Sequence, residues 1–528
     1  FFVPAFIMLV LFIIRGIYPF GDRSFLFSDM YHQYMPFLSE FVHKIKAGEG
    51  LFYSYNVGIG SNFLALYVYY LASPFNWLVF LLPEGLIMEF MSYLVILRIG
   101  LMGLTFSIYL RKVFGKEDPA ALLFSTAYAL SGYLAAYNWN VMWLDCLILL
   151  PLILLGAERL VREGKWVMYT VTLGLCILTN YYISIMICIF LVLYFGMFLI
   201  TEYYTMTEGQ SSKARIVFGR IGRFAFASLL AGGLAAALLI PEVCAILRTD
   251  FGNSDFPGTL ESYFSVFDML ARHCLCVTTE RGLEHWPNIY CGVAVFLLVP
   301  MYALNEKISV RKRFCNLALA GFLLLSFGTN VLDFLWHGLN YPDSLPARQS
   351  FLYIFLILVM CYDAFRNVEG TSPRQIIYGY LAAVIFLLAC EKFVESEDFD
   401  TGIEVLTLVF VTIYGVLLYL YRTRKDELTR QVLGILVLAC VVAELSINTF
   451  NTSLGTTGRS AYLGDQEDYK ALYALAQEQE GDDFFRIEKF TRKTKNDGTL
   501  TGYPTASVFS STMNSNVCLL YTSPSPRD

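Results

Sequence analysis

The chain has 528 residues, is 56% hydrophobic and 16% charged, and has a mean hydropathy of +0.55. A soluble domain of this size covers itself with more charge, so the composition excludes an ordinary soluble protein. The net charge of −6, with no basic tract interleaved with aromatics, argues against a nucleic-acid partner.

Taken in chain order, apolar runs near the roughly 20 residues that a bilayer crossing needs fall at 1–18, 86–110, 120–137, 141–157, 166–179, 183–201, 224–247, 289–304, 314–328, 350–365, 375–391, 403–421 and 431–447. They predict an all-α polytopic membrane protein of about 13 transmembrane helices over 1–447. The stretch 63–83 is also apolar, but it is broken at Ser73-Pro74 and ends in Pro83. It is read as a re-entrant or interfacial pair, because proline removes a backbone donor and only protein can shield the broken ladder; the alternative is a true span, with 1–18 oriented oppositely or two other spans merged. Alternate connections (111–118, 158–165, 202–223, 305–313, 366–374, 422–430) hold 20 Lys and Arg, and the opposite set only 8. The positive-inside rule places the first set in the cytoplasm and 19–62 outside. Most of the 12 cysteines sit in apolar runs as small packing residues. Cys274 and Cys276 lack a second pair at zinc spacing, which argues against a metal site there, and no cofactor is expected to be obligatory.

After 447 the chain turns polar. "DQEDYKALYALAQEQE" (465–480) reads as an amphipathic helix and "DFFRIEKF" (483–490) as a strand, the start of an extracytoplasmic α/β domain over 448–518. The last ten residues, "YTSPSPRD" with the two leucines before it (519–528), resemble a translated adapter sequence and are read as a non-native tail; the Phe at position 1, inside an apolar run, is read as a start lacking its native N-terminus.

The first external loop, 19–62, is long for a connector. It gathers Asp29, His32, Gln33 and Tyr34 directly behind the first apolar run, and helical spacing places the first three on one side. A carboxylate beside a hydrophobic wall is a candidate general base, since desolvation raises its basicity. The loop continues into "YNVGIGSN" (55–62), whose glycines allow a ligand to approach the backbone. Arg348, at the outer end of 350–365, is suited to a phosphate, and Arg281 and His285 lie in another external loop. Asp145, within a span, is a functional candidate by its depth, or an ion-pair partner of Arg98 that holds helices together. No GxGxxG, P-loop or H-E-x-x-H appears, which argues against a cytosolic nucleotide-sugar enzyme.

"SDMYHQYMPFLSEFVHKIKAGEG", "YNVGIGSN", "YYLASPFNWL", "PNIYCG", "PARQSF" and "AELSINTFN" together resemble the bacterial YfhO family along nearly all of 1–518. The resemblance implies a GT-C-like glycosyltransferase with its catalytic acid, Asp29, in the first external loop and a polyprenyl-phosphate sugar as donor. It implies a surface polysaccharide or teichoic acid, such as lipoteichoic acid, as acceptor. Arg348, Arg281, His285, His32, Gln33, Tyr34 and Asp145 are then candidates for holding substrate and lipid phosphate. A lipid or polysaccharide transporter and a non-catalytic envelope scaffold are the other readings. A transporter predicts internal repeats, and none is evident in the chain.

Overall fold

The computed structural model describes residues 1–517 apart from 116–117, 210–211, 250–254, 343 and 482; the tail read as non-native lies outside the described residues. Every one of the apolar runs predicted to cross the membrane contains a helix. In order these are Phe2–Ile14, Ile87–Phe114, the closely spaced pair Ala120–Ala129 and Gly132–Tyr137, Leu144–Glu163, Val167–Thr179, Tyr181–Thr207, Lys213–Ile246, Val295–Leu304, Val310–Phe327, Ser350–Arg366, Pro373–Phe393, Thr401–Thr423 and Glu427–Thr452. Among the described residues, 7 are long and apolar enough to cross a bilayer unaided; Phe2–Ile14, Val167–Thr179 and Val295–Leu304 are shorter apolar helices.

Lys213–Ile246 is about 51 Å long at 1.5 Å per residue, well beyond the roughly 30 Å hydrocarbon layer. It buries only Ala227, Ala231, Ala235 and Glu242, and its exposed leucines and phenylalanines suit contact with lipid. Ser350–Arg366 is the opposite case: nearly every side chain is buried, which makes it the central post of the bundle.

The stretch read as re-entrant bends by 96° between Phe63–Leu71 and Pro74–Leu81. Ser73, at the corner, accepts a hydrogen bond from Phe75 N–H through its hydroxyl, which starts the second arm. Arg98 donates to the same hydroxyl at 2.9 Å and to Asp145 Oδ1 at 2.8 Å. One buried guanidinium therefore ties Ile87–Phe114, Leu144–Glu163 and the bent pair together. Asp145 takes the ion-pair role that the sequence left open beside a substrate role.

The helix expected at 465–480 is present as Gln466–Glu480. The strand expected at 483–490 is not formed. A strand needs a ladder partner, and the interstrand-like contact described for this stretch is the single bond from Ile487 N–H to Pro504 O. Phe484 and Phe490 are left exposed. The polar segment instead folds back on the first loop. Thr457–Gly458 pairs antiparallel with Arg23–Ser24, and Ser460 and Arg459 bond Asp22 and Glu89.

Candidate active site

The loop that carries Asp29 starts with a forced turn. Ser28 has φ +50°, in the left-handed region that side chains disfavour. That turn aims the Ser28 carbonyl at the N–H groups of Tyr31 and His32 and launches the chain into a five-residue π-turn, Met30–Tyr34, ahead of the α-helix Met35–Lys46. The α-helical face expected for Asp29, His32 and Gln33 is thus a wider turn, a form that recurs at functional sites. Gln33 and Tyr34 are buried, and Asp29 and His32 are half-buried. Tyr34 donates its hydroxyl to Asn140 Oδ1.

A second π-turn, Tyr67–Leu71 in the bent pair, meets the first: the Tyr34 and Tyr70 rings lie 5.7 Å apart, and Tyr69 continues the wall toward Tyr181. Among the described residues, Asp29 has no hydrogen-bond or ion-pair partner. Burial holds its carboxyl above the ordinary range, and the charges of Lys495 and Arg348 partly oppose that rise. Burial and Lys495 lower the His32 imidazole, with Asp497 acting the other way.

Arg348 is aimed by a second strained turn, with φ +59° at Leu345 and +50° at Ala347. Its Nε and Nη2 donate to the carbonyls of Leu345 (3.0 Å) and Ser344 (2.9 Å), and its guanidinium lies over Trp143 and Tyr182 at 5.4 and 5.1 Å. The turn itself is pinned by Leu345 N–H to Arg281 O and by Tyr137 Oη to Pro346 O. Among the described residues no carboxylate lies within ion-pair distance of Arg348.

Arg281 has a different part. Its Nε and Nη2 donate to the carbonyls of Ala136, Ala135 and Thr452, with the guanidinium 4.8 Å from the Phe27 ring centroid. It closes the C-terminal end of Gly132–Tyr137 and braces the approach to Asp29. His285 stacks on Tyr263 at 4.0 Å, with φ +60°. The structure therefore brings together Asp29, His32, Tyr34 and Arg348 and buries Gln33, while Arg281 bonds backbone carbonyls, His285 stacks on Tyr263 and Asp145 pairs with Arg98.

Sequence reading missed Lys495. The polar C-terminal segment lays it beside Asp29 and His32 because Asn496, its neighbour, donates to the His32 carbonyl at 2.7 Å. Tyr462 Oη bonds Tyr31 O, Thr499 Oγ1 bonds Asn56 O, and Ser511 N–H bonds Tyr70 Oη. Lys495 itself is exposed over the Phe509 ring, 3.9 Å from its centroid, without an ion pair among the described residues.

In "YNVGIGSN", Gly60 has φ +111°, and the Tyr53 hydroxyl fills the place a Cβ would take. Gly58 and Gly60 also line a cavity with Asn62 and Arg248.

Comparison with known proteins places the chain. The YfhO protein of Bacillus subtilis (strain 168), itself described as uncharacterised, is 21% identical over 498 residues, covering 89% of this chain and 54% of that one. The chain thus spans about half the length of that relative. Two structures of ArnT from Cupriavidus metallidurans, one bound to undecaprenyl phosphate and one apo, superpose with TM-scores of 0.40 and 0.42 at 13% and 12% identity. Each covers 95% of this chain and 84% of ArnT, and likeness of that degree carries no conclusion about this molecule. The family model described as bacterial membrane protein YfhO matches residues 1–523, and the chain belongs to that family.

Proposed function

We propose that the protein is a membrane glycosyltransferase of the GT-C type, moving a sugar from a polyprenyl-phosphate donor to a polymer at the outer face of the membrane, with lipoteichoic acid as one such acceptor. The observation that carries this reading is a desolvated carboxylate without a partner among the described residues, within reach of the charges of Arg348 and Lys495, two cations from distant parts of the chain that pair with no carboxylate there.

Asp29 is the base. An acceptor hydroxyl gives its proton to the carboxylate as its oxygen attacks the anomeric carbon. The bond from that carbon to the phosphate oxygen breaks, and the electron pair leaves on the lipid phosphate. Arg348 and Lys495, whose charges both reach Asp29, stabilise that developing charge. Displacement at the anomeric carbon in one step inverts its configuration. The tyrosine wall of Tyr34, Tyr69 and Tyr70 keeps the carboxylate dry and so basic. Asp29 then releases its proton to water.

The test is transfer of labelled sugar from undecaprenyl-phosphate sugars to polymer in membranes holding the full-length protein, wild type against Asp29→Asn at matched expression. The expected result is transfer that falls by about a hundredfold or more, the scale of a lost general base. Transfer unchanged in the variant removes Asp29 from the chemistry. No transfer by wild type from any donor leaves transport or scaffolding as the function.

A further inference from the structure

A second cavity opens beside the active site and outside it. The cleft, of about 1120 Å³, runs between the helix Met35–Lys46 with the hairpin behind it and the helix Gln466–Glu480 with the chain that follows. Its wall is explained by strand alternation. The hairpin pairs Tyr53–Ser54 with Ser61–Asn62, so neighbouring side chains point to opposite faces. Ser54 and Asn56 face inward and donate to the buried Glu40 carboxylate, at 2.6 Å from Ser54 Oγ and 3.0 Å from Asn56 Nδ2. Tyr53 and Tyr55 therefore face outward, 47% and 56% exposed. Phe484, from the far wall, meets Tyr55 at 5.3 Å and is 58% exposed. The rings contact one another at 60–74° and not face to face, so each stays about half exposed beside the cleft. Between them stand His43 and Gln477. The cations at its edge are committed: Lys44 pairs with Glu49 at 2.8 Å, and Arg486 donates to Ile59 O while lying over Phe484.

Rigid aromatic faces interleaved with neutral hydrogen-bonding groups match a surface whose one side is C–H and whose rim is hydroxyl. We propose that this cleft binds an uncharged, hydroxyl-rich glycan chain, and that it holds the acceptor of the transferase where that acceptor is a neutral surface polysaccharide rather than a teichoic acid. The first half stands on the cleft alone; the second rests on the transferase reading. The size fits a chain: small-molecule sites are typically about 300–1,000 Å³, and this cleft is larger. Its position fits as well. His32, next to Asp29's turn, and His43, in the cleft, are separated by about 16 Å along one continuous helical path. Several units of a polymer span that distance, so a chain seated in the cleft is long enough to reach the turn that carries Asp29.

The experiment measures binding of maltoheptaose, chitohexaose and a glycerol-phosphate hexamer to the full-length protein in nanodiscs by saturation-transfer NMR and calorimetry. Wild type, Asp29→Asn and the double variant Tyr55→Ala/Phe484→Ala are compared. The expected result is binding of at least one of the two neutral glycans, unchanged in Asp29→Asn and weakened tenfold or more in the double variant. In the transfer assay that double variant raises the acceptor KM and leaves kcat within about twofold. Three results overturn the proposal: no neutral glycan bound, selective binding of the glycerol-phosphate hexamer, or equal binding by the double variant. Glycan binding without transfer by any donor keeps the cleft and removes the transferase reading, so the two fail separately.

Discussion

Asp29 and Lys495 set opposite demands on one proton. Burial raises the carboxyl, so a base of this kind loses its ionised form, and transfer its rate, as pH falls through a value above the roughly 3.9 of a free aspartate. The Lys495 charge favours the ionised form. Lys495→Ala therefore lets the carboxyl rise further, and the acid limb of the rate profile is expected to move to higher pH, with the plateau above it less affected. A profile that only drops in height, with its limb in place, makes Lys495 a binding group with no influence on the base. The same carboxyl also bears on folding. A group whose folded pKa lies above its unfolded one destabilises the ionised native state, and this effect grows as pH rises past the unfolded value. Asp29→Asn is therefore expected to melt at or slightly above the wild-type temperature at pH 7. A clear fall in that temperature would make Asp29 an anchor of its loop. Asp29 was legible in the sequence because an acid behind an apolar run is conspicuous. Lys495 was not, because a lysine in a polar stretch is ordinary until the chain's two ends are seen together.

At the scale of the elements, the Arg98–Asp145 pair decides what the intramembrane acid does. Both groups are buried, and Ser73 shares the guanidinium. Removing one partner leaves an uncompensated charge, so Arg98→Met or Asp145→Leu alone is expected to destabilise by about 3–5 kcal/mol, and the double change by much less. The measurement is a double-mutant cycle by thermal unfolding in detergent, with transfer assayed on the double variant. Transfer retained there fixes the pair as a helix tie; transfer lost, with stability restored, returns Asp145 to the substrate. Glu40 gives a parallel case outside the spans. Its buried carboxylate holds the hairpin through Ser54 and Asn56, and Glu40→Ala leaves those donors without it. Faster hydrogen exchange across 52–62 is expected, and protection equal to wild type would mean the Gly60–Tyr53 contact suffices. The helices themselves were readable because long apolar runs have one stable answer in lipid. The bend at Ser73-Pro74 was readable from proline. The two π-turns were not: five residues are too few to show a period, and the Tyr34–Tyr70 ring contact that joins them links distant parts of the chain. The failed strand at 483–490 shows the same limit, since alternation marks a candidate strand and only a partner makes one.

For the whole molecule, the sequence carries orientation in its charges but does not carry the closure of the chain on itself. Bonds such as Tyr462 to Tyr31 and Thr499 to Asn56 join residues more than 400 apart, and no single sequence records such pairing. Closure and orientation have to agree. The segment that follows the last helix sits on the loop that follows the first, so both lie on one side of the bundle. By the positive-inside rule, the excess of Lys and Arg in the other connections predicts that this side faces out. On that reading a cysteine placed at Leu283, 68% exposed in a connection on that side, is expected to react with an impermeant maleimide on intact cells. One placed at Lys425, exposed in an opposite connection, is expected to react only after the membrane is opened. Each is read against the parent protein, because Cys244 is itself exposed. The reverse pattern would turn Asp29, Lys495 and the aromatic cleft toward the cytoplasm. There the chain has no motif for a nucleotide sugar, and an acceptor polymer on the outer surface is out of reach. The transferase reading would then fail at the scale of the whole molecule, whatever the geometry around Asp29.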